Sequence, residues 1–434
     1  GATSSDKPGD VVIAAFNSFL EQPGLPLVEI TRQCDGENVS IHLAQFRYFP
    51  LGSTGDRNQQ WDIPVCLRIG DANGDTTTCL LLTAKEQSFE LVQACPDWIM
   101  PNANSAGYYR FSMNQQDWSA LLANSDKQNT NEMMAILGSL SGAFNSGDLD
   151  IATLMSMAPQ LIESPDWQVA TAPIEHMDFM YEKMASEGQK QDLEARFADY
   201  YSGKLNETGL ELINDRDQAQ LQTALVDFLA KTAKQPELRA ELVNMARAYS
   251  GYETDSKVHP EAANPVIVGT ALVVAVDELG SDFVDHLYQV LVNSTDTVVR
   301  KRTLDAIGSV KDPIKAAEVR ELVFSPELRN NEIYSILFSQ IFMPETRDAT
   351  WLWFQQNFDR ILQRIPEDFW GYMTSVGTAF CNGEKQAEVQ TFFAERIDSL
   401  TGGPRSLAQS LESIDLCMAK VERHKTEMDV WLGQ

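Results

Sequence analysis

Histidine is scarce in this 434-residue chain: His42, His176, His259, His286 and His424 are all it has, and none begins a His-Glu-x-x-His run. Zinc hydrolysis built on one helix needs two imidazoles a turn apart with a carboxylate base between them, so the sequence holds no centre of that kind. The GxSxG nucleophile elbow, the GxxxxGK[ST] phosphate loop and the GxGxxG dinucleotide turn are missing as well. No cysteines are spaced as CxxC, which argues against a zinc ribbon or a thioredoxin-type site. Long apolar runs are also lacking. The longest, Pro265 to Val276, is 12 residues and ends at Asp277, short of the roughly 20 that cross a bilayer, and it reads as a buried helix. Basic charge is in short supply: 34 Lys and Arg against 62 Asp and Glu leave a net charge of -28. Such a field repels phosphate backbones and anionic lipid, so neither nucleic acid nor a membrane surface is an expected partner. It would attract cationic ligands such as free peptide amines, or serve as a solubility coat or an adaptation to salt.

The composition that remains, 43% hydrophobic and 22% charged, is that of a folded globular protein, and the length calls for two or three domains. The first residues, GATSSDKPGD, contain no basic segment leading into an apolar core. Either a signal peptide has been removed or the chain begins inside a longer polypeptide. Six cysteines, Cys34, Cys66, Cys79, Cys95, Cys381 and Cys417, suit three disulfides and an exported protein, with buried free thiols as the alternative.

From Asp10 to Leu20, Val12, Ala15, Phe16, Phe19 and Leu20 recur at helical spacing, and Gln22-Pro23-Gly24-Leu25-Pro26 ends the helix. Its apolar side calls for a partner, either the next domain or one outside this chain. The period then changes to two, predicting strands at Leu27–Arg32, Val39–Phe46, Ile63–Ile69, Thr77–Thr83, Ser88–Val92 and Tyr108–Ser112. Between the third and fourth, Gly70 to Asp75 resembles a calcium loop in its alternating acids. Its glycine is misplaced and no closing glutamate follows, so it reads as a hairpin turn with Asn73-Gly74 at its tip. That hairpin would set Cys66 against Cys79. After Met113 apolar stripes such as Leu221, Leu225, Phe228 and Leu229 predict helices to the end of the chain. Breakers at Gln235-Pro236, Asn264-Pro265, Leu279-Gly280, Asp312-Pro313, Ser325-Pro326, Met343-Pro344, Ile365-Pro366 and Gly402-Gly403-Pro404 cut them into short antiparallel segments. The expected fold is therefore multidomain, β then α: terminal helix and linker at 1–23, a small β-sandwich at 24–112, and an irregular all-α HEAT-like superhelical array at 113–434 that offers a concave face.

Three local clusters are candidate sites. Glu175-His176-x-Asp178 lacks a third ligand at helical spacing and reads as a surface or capping histidine. Arg300-Lys301-Arg302 follows Thr295-Asp296-Thr297, a helix N-cap region; Arg300 and Arg302 could take a substrate carboxylate or belong to a solvated helix face. Trp351, Trp353, Phe354, Phe358, Phe369 and Trp370 read as core.

Several runs resemble the puromycin-sensitive and membrane-alanyl aminopeptidase family. Phe19-Leu20-x-Gln22-Pro23-Gly24-Leu25-Pro26-Leu27-Val28 is similar to its W-x-x-Q-x-G-x-P-x-V boundary, with Phe19 for the usual tryptophan and Pro23 for the intervening residue. Leu43-x-Gln45-x-Arg47-Tyr48 looks like its L-x-Q-x-R-F strand, and Trp61-Asp62-Ile63-Pro64-Val65 its W-x-I-P strand. Asn102 followed by Gly107-Tyr108-Tyr109-Arg110-Phe111 resembles its N-x-x-x-x-G-[YF]-Y-R-V segment, and Trp118-Ser119-Ala120-Leu121 its W-x-x-L helix. Arg300 to Leu304, Trp351-x-Trp353-Phe354-x-x-Asn357 and Arg405 to Ile414 leading to Trp431-Leu432 match more loosely, in the right order.

In that family a thermolysin-like domain, ahead of these motifs, supplies HExxH, a distant glutamate ligand and a GxMEN loop for the substrate amine. None has a counterpart here, so the resemblance transfers no catalytic or metal-binding residue. It implies a β-sandwich spacer and a bowl of helices that closes over the active site of a zinc aminopeptidase and limits which peptides enter. The expected partners are peptides and that catalytic domain. Zinc is expected only there, and no cofactor in this chain. The alternative is a stand-alone helical-repeat binding or scaffold protein without peptidase activity. The expected disulfides are Cys66 with Cys79; Cys381, at a helix end before Asn382-Gly383, with Cys417 late in the final helical pair; and Cys34 with Cys95. They favour a periplasmic or extracellular location and leave the cytoplasm open.

Overall fold

Alternating burial along the early strands puts one face of each into a core, which is the physical content of the period-two pattern. A computed structural model describes residues 8–35, 38–91 and 95–433. Its strands are β1 (Pro26–Asp35), β2 (Asn38–Arg47), β3 (Ile63–Asp71), β4 (Gly74–Leu82), β5 (Glu86–Leu91), β6 (Trp98–Met100) and β7 (Arg110–Ser112). They form two sheets, ordered β5-β2-β1-β7 and β4-β3-β6. Val28, Ile30, Ile41 and Leu43 of the first and Ile63, Val65, Leu67 and Ile69 of the second are buried, with Trp61, Trp98 and Phe111. The strand β6 was not expected: all of its residues are buried, so it carries no alternation. Val92, the expected end of β5, lies outside the described residues. The hairpin turn is Ala72-Asn73, since Asp71 pairs with Gly74, and Asn73 N–H donates to the Asp71 carboxylate at 2.7 Å.

Ahead of the sheets lies α1 (Pro8–Leu20), whose Val12, Ile13, Phe16 and Leu20 are exposed while Ala15 is buried. The chain leaves it through Gly24 at φ +109°, where a Cβ would stand 2.5 Å from Arg47 Nε. Several residues that carry the family resemblance are joints of this β region. The Gln45 side chain bonds both the carbonyl and the N–H of Trp61, at 2.9 and 2.8 Å. Asn102 closes the loop to Gly107 in the same reciprocal way, and the buried Tyr109 hydroxyl donates to the Pro101 carbonyl at 2.8 Å.

Helices follow from residue 115: α2 (Gln115–Leu122), α3 (Thr130–Ser146), α4 (Ile151–Ile162) and α5 (Trp167–Phe179). Pro159 and Pro173 lie inside α4 and α5. A π-helical turn, Met180–Met184, leads to α6 (Glu187–Thr208), α7 (Arg216–Lys231), α8 (Pro236–Ser250), α9 (Val268–Leu279) and α10 (Ser281–Asn293). Next come α11 (Thr297–Gly308), α12 (Pro313–Glu321), α13 (Ile333–Phe342) and α14 (Arg347–Leu362). A 3-10 stretch, Glu367–Ala379, precedes α15 (Gly383–Ala394) and α16 (Gly403–Leu432). Val268 to Val276 of the long apolar run form the buried part of α9, and Pro265 to Ile267 precede the helix.

The chain divides into two compact units, Gly1–Pro173 with Glu422–Gln434, and Ile174–Val421. The change from strand to helix falls at the expected place, yet α2, α3 and α4 belong with the sheets. Within the second unit α9 packs against α8 and α11, and α11 against α13, giving an irregular helical array.

Candidate functional site

Each of the expected disulfides is present. Cys66 faces Cys79 in register across β3 and β4, Cys34 of β1 is bonded to Cys95 ahead of β6, and Cys381 is bonded to Cys417 of α16. Asp296 caps α11 as expected, accepting from Val298 and Val299 N–H at 2.8 and 3.0 Å. Arg300 on that helix is buried. Its guanidinium forms a fork with Glu332 at 2.7 Å on both arms, and its other hydrogens go to the carbonyls of Leu291, Ser294 and Glu327. All five donors of a guanidinium are thus engaged within the protein, and none is left for a substrate carboxylate. Arg239 of α8 is built alike: it donates to a carbonyl nine residues back, Ala230, as Arg300 does to Leu291, and pairs with Asp277 and Glu278. Arg302 is half-buried and donates to the Pro265 carbonyl at 2.5 Å.

His176 is buried inside α5 rather than on the surface, and Asp178 accepts from the Thr232 hydroxyl at 2.6 Å. Among the described residues no three His, Cys, Asp or Glu side chains stand close enough to share a metal ion. Trp351, Phe354 and Phe358 are core, whereas Phe369 is exposed.

A different pair of cations has donors to offer. Lys183 sits on the π-helical turn after α5, and among the described residues its Nζ reaches only the Ala379 carbonyl, at 3.5 Å. Arg347 is placed by Met343-Pro344, where proline ends α13, and it opens α14. Its Nε and one Nη2 hydrogen cap the carbonyls of Ile341 and Phe342 at 3.3 and 2.8 Å. Among the described residues the remaining three N–H are unengaged and neither cation makes an ion pair. Burial, and then the charge of Arg347, push the Lys183 ammonium below its ordinary value; burial does the same to Arg347, with Glu182 and other acids opposing it. The Thr346 side chain does not cap α14; its hydroxyl donates back to the Gln340 carbonyl at 2.7 Å. The positive end of α14 therefore adds to the two charges.

A cleft of about 220 Å³ is lined in part by Tyr181, Glu182, Thr232, Pro344 and Glu345, close in sequence to the two cations, which do not themselves line it. The cations that line it are paired: Lys190 with Glu187, Lys231 with Asp227, Lys234 with Glu194, Arg239 with Asp277 and Glu278, and Lys311 with Asp277. Tyr181, pushed up to about 12 by burial and by its hydrogen bond to Glu194, stays a neutral donor. A larger cavity in the first unit, about 640 Å³, carries both signs of charge, and its two arginines, Arg47 and Arg57, lie against the Phe49 ring. No signal in the sequence joined Lys183 to Arg347. The nearest hint was the Met343-Pro344 break, which announces a helix start without saying what it faces.

Comparison with known proteins agrees with the motifs. The chain is 21% identical over 99% of its length to the puromycin-sensitive aminopeptidase of Caenorhabditis elegans, of which it covers 46%. It is 21% identical over 99% of its length to aminopeptidase 2, mitochondrial, of Saccharomyces cerevisiae, of which it covers 44%. A stretch equal to 34% of the chain is 30% identical to aminopeptidase M1-D of Oryza sativa subsp. japonica. The chain thus spans less than half the length of these relatives. Residues 98–416 match the family model described as ERAP1-like C-terminal domain. With the two-sheet region, the helical array and the ordered motifs all in agreement, the chain belongs to the ERAP1-like C-terminal domain family, the C-terminal region of M1-type aminopeptidases.

Proposed function

We propose that this chain is the noncatalytic C-terminal portion of a zinc metallo-aminopeptidase. In this reading its helices, stacked as a HEAT-like superhelix, cap the active-site chamber and hold peptide substrates by their free carboxylate at Lys183 and Arg347. The observation that carries the reading is two half-buried cations, Lys183 acted on by the charge of Arg347, that retain free donors and make no ion pair among the described residues. Like charges brought together out of water are costly, and an incoming carboxylate relieves that cost while accepting charge-assisted hydrogen bonds. Arg300 offers no such vacancy, because Glu332 already fills it.

The test is fluorescence anisotropy with a labelled peptide carrying either a free C-terminal carboxylate or its amide. The acid should bind the wild-type chain about tenfold or more tighter, the worth of one charge-assisted hydrogen bond. Lys183→Met and Arg347→Met should each erase that preference, and Arg302→Ala should preserve it. Equal binding of acid and amide by the wild type would sink the carboxylate site, and loss in Arg302→Ala would move it to α11. Aminoacyl anilides incubated with the chain and added zinc should stay intact; hydrolysis above background overturns the noncatalytic assignment. Three disulfides also support a periplasmic or extracellular location. Six free thiols found by mass spectrometry of the unreduced natural protein would return it to the cytoplasm.

A further inference from the structure

The carbonyl that meets Lys183 belongs to backbone that local helix energetics hold weakly. Glu367–Ala379 runs as a 3-10 helix for 13 residues, whereas such helices seldom pass three or four because their hydrogen bonds are poorly aligned. Contacts from elsewhere in the same unit keep it in place. The Tyr372 ring lies 5.4 Å from Phe338 and 6.2 Å from Tyr334, and the Thr374 hydroxyl donates to that of Ser406 at 2.7 Å. The far end of the stretch is Ala379, the acceptor for Lys183 Nζ. Just beyond it, Cys381 is bonded to Cys417 on α16, and Asn382 then caps α15. One covalent bond therefore fastens the strip of backbone against which the Lys183 ammonium is set.

We propose that Cys381–Cys417 is a redox-modification site controlling the affinity of the Lys183–Arg347 pair for a peptide carboxylate. Reduction by a dithiol loosens Glu367–Ala379 and releases the ammonium from the Ala379 carbonyl. The inference rests on the reading of that pair as the peptide site. In the exchange, a thiolate of the dithiol attacks one of the two half-buried sulfurs, forming a mixed disulfide and freeing the other cysteine as thiolate. The second thiol of the reductant then displaces the first cysteine. Two electrons and two protons end on Cys381 and Cys417, and the reductant leaves as its own disulfide. Cys34–Cys95 and Cys66–Cys79 lie in the first unit and hold the β region, so they provide internal controls.

The experiment compares the oxidised wild-type chain, the Cys381→Ser/Cys417→Ser variant and a Cys34→Ser/Cys95→Ser control. Readouts are anisotropy with the free-acid peptide and its amide, and amide hydrogen exchange over 367–381. The first variant should show faster exchange across that stretch and an affinity for the acid lower by about tenfold, the loss of one placed hydrogen bond; the control should match the wild type. Wild-type chain treated with a dithiol serves as a second arm that needs no substitution, and should behave as the first variant does. Unchanged exchange and affinity in both arms overturn the redox proposal while leaving the peptide site standing. An oxidised wild type that does not distinguish acid from amide overturns the site itself, and the redox proposal with it.

Discussion

Arg300 and Arg347 are chemically the same side chain, and what separates them is how many hydrogens each has left. Arg300 has none, whereas Arg347 keeps three of its five among the described residues. The sequence motif drew attention to the first because three cations in a row are conspicuous in an acidic chain. The cysteine pairs were more legible, since a hairpin in register brings Cys66 and Cys79 together whatever the rest of the fold does. Asp178 carries a prediction at this scale. Burial pushes its carboxyl up to about 6 from an ordinary 3.8, with the Thr232 hydroxyl opposing and Glu182 and Asp227 reinforcing the rise. A folded value above the unfolded one means that its stabilising contribution is complete below about pH 4 and lost as pH rises through about 6. At pH 7.5 the ionised form costs on the order of 2–3 kcal/mol. Asp178→Asn, which keeps the acceptor for Thr232, should raise the denaturant midpoint at pH 7.5 and flatten the stability profile between about pH 4 and 6. An unchanged midpoint at pH 7.5 would refute this.

Among the elements, the long strands and helices were readable because their periods survive in one sequence. Short or buried ones were not: β6 has no polar face, and Pro159 and Pro173 sit inside helices that a local rule would have ended. The π-helical turn after α5 and the 3-10 stretch before α15, which together place Lys183 and its carbonyl acceptor, leave no periodic signature. The recurring Arg239 and Arg300 arrangement shows how this array is joined, an arginine near one helix start reaching back to carbonyls at the end of the helix before it. In the β region one tight joint is between β3 and β6. A Cβ on Gly70 would fall 2.2 Å from the indole of Trp98, which is itself buried. Gly70→Ala should therefore lower the unfolding free energy by about 1–3 kcal/mol through overpacking, seen as a lower denaturant midpoint, and shift tryptophan emission to the red. A midpoint and spectrum equal to the wild type would show that the sheets yield there at no cost.

For the molecule as a whole the governing quantity is a net charge of -28. Self-repulsion of that size opposes the compact state and is screened by salt. Raising sodium chloride from about 20 mM to about 500 mM shortens the Debye length from roughly 20 Å to roughly 4 Å. The melting temperature should rise by a few degrees over that range; calorimetry showing a fall would mean that ion pairs such as Arg300–Glu332 and Lys311–Asp277 outweigh the repulsion. The order of the long strands and of the helices, the Cys66–Cys79 pair and the family were all determined by the sequence itself. Each is written in near neighbours, in a period, or in motifs that keep their order. Which cations are neutralised and which remain open was decided only by the tertiary structure. Glu332 reaches Arg300, and Arg347 comes near Lys183, from separate helices, and the loss of water that gives those encounters their energy exists only once the helices have packed.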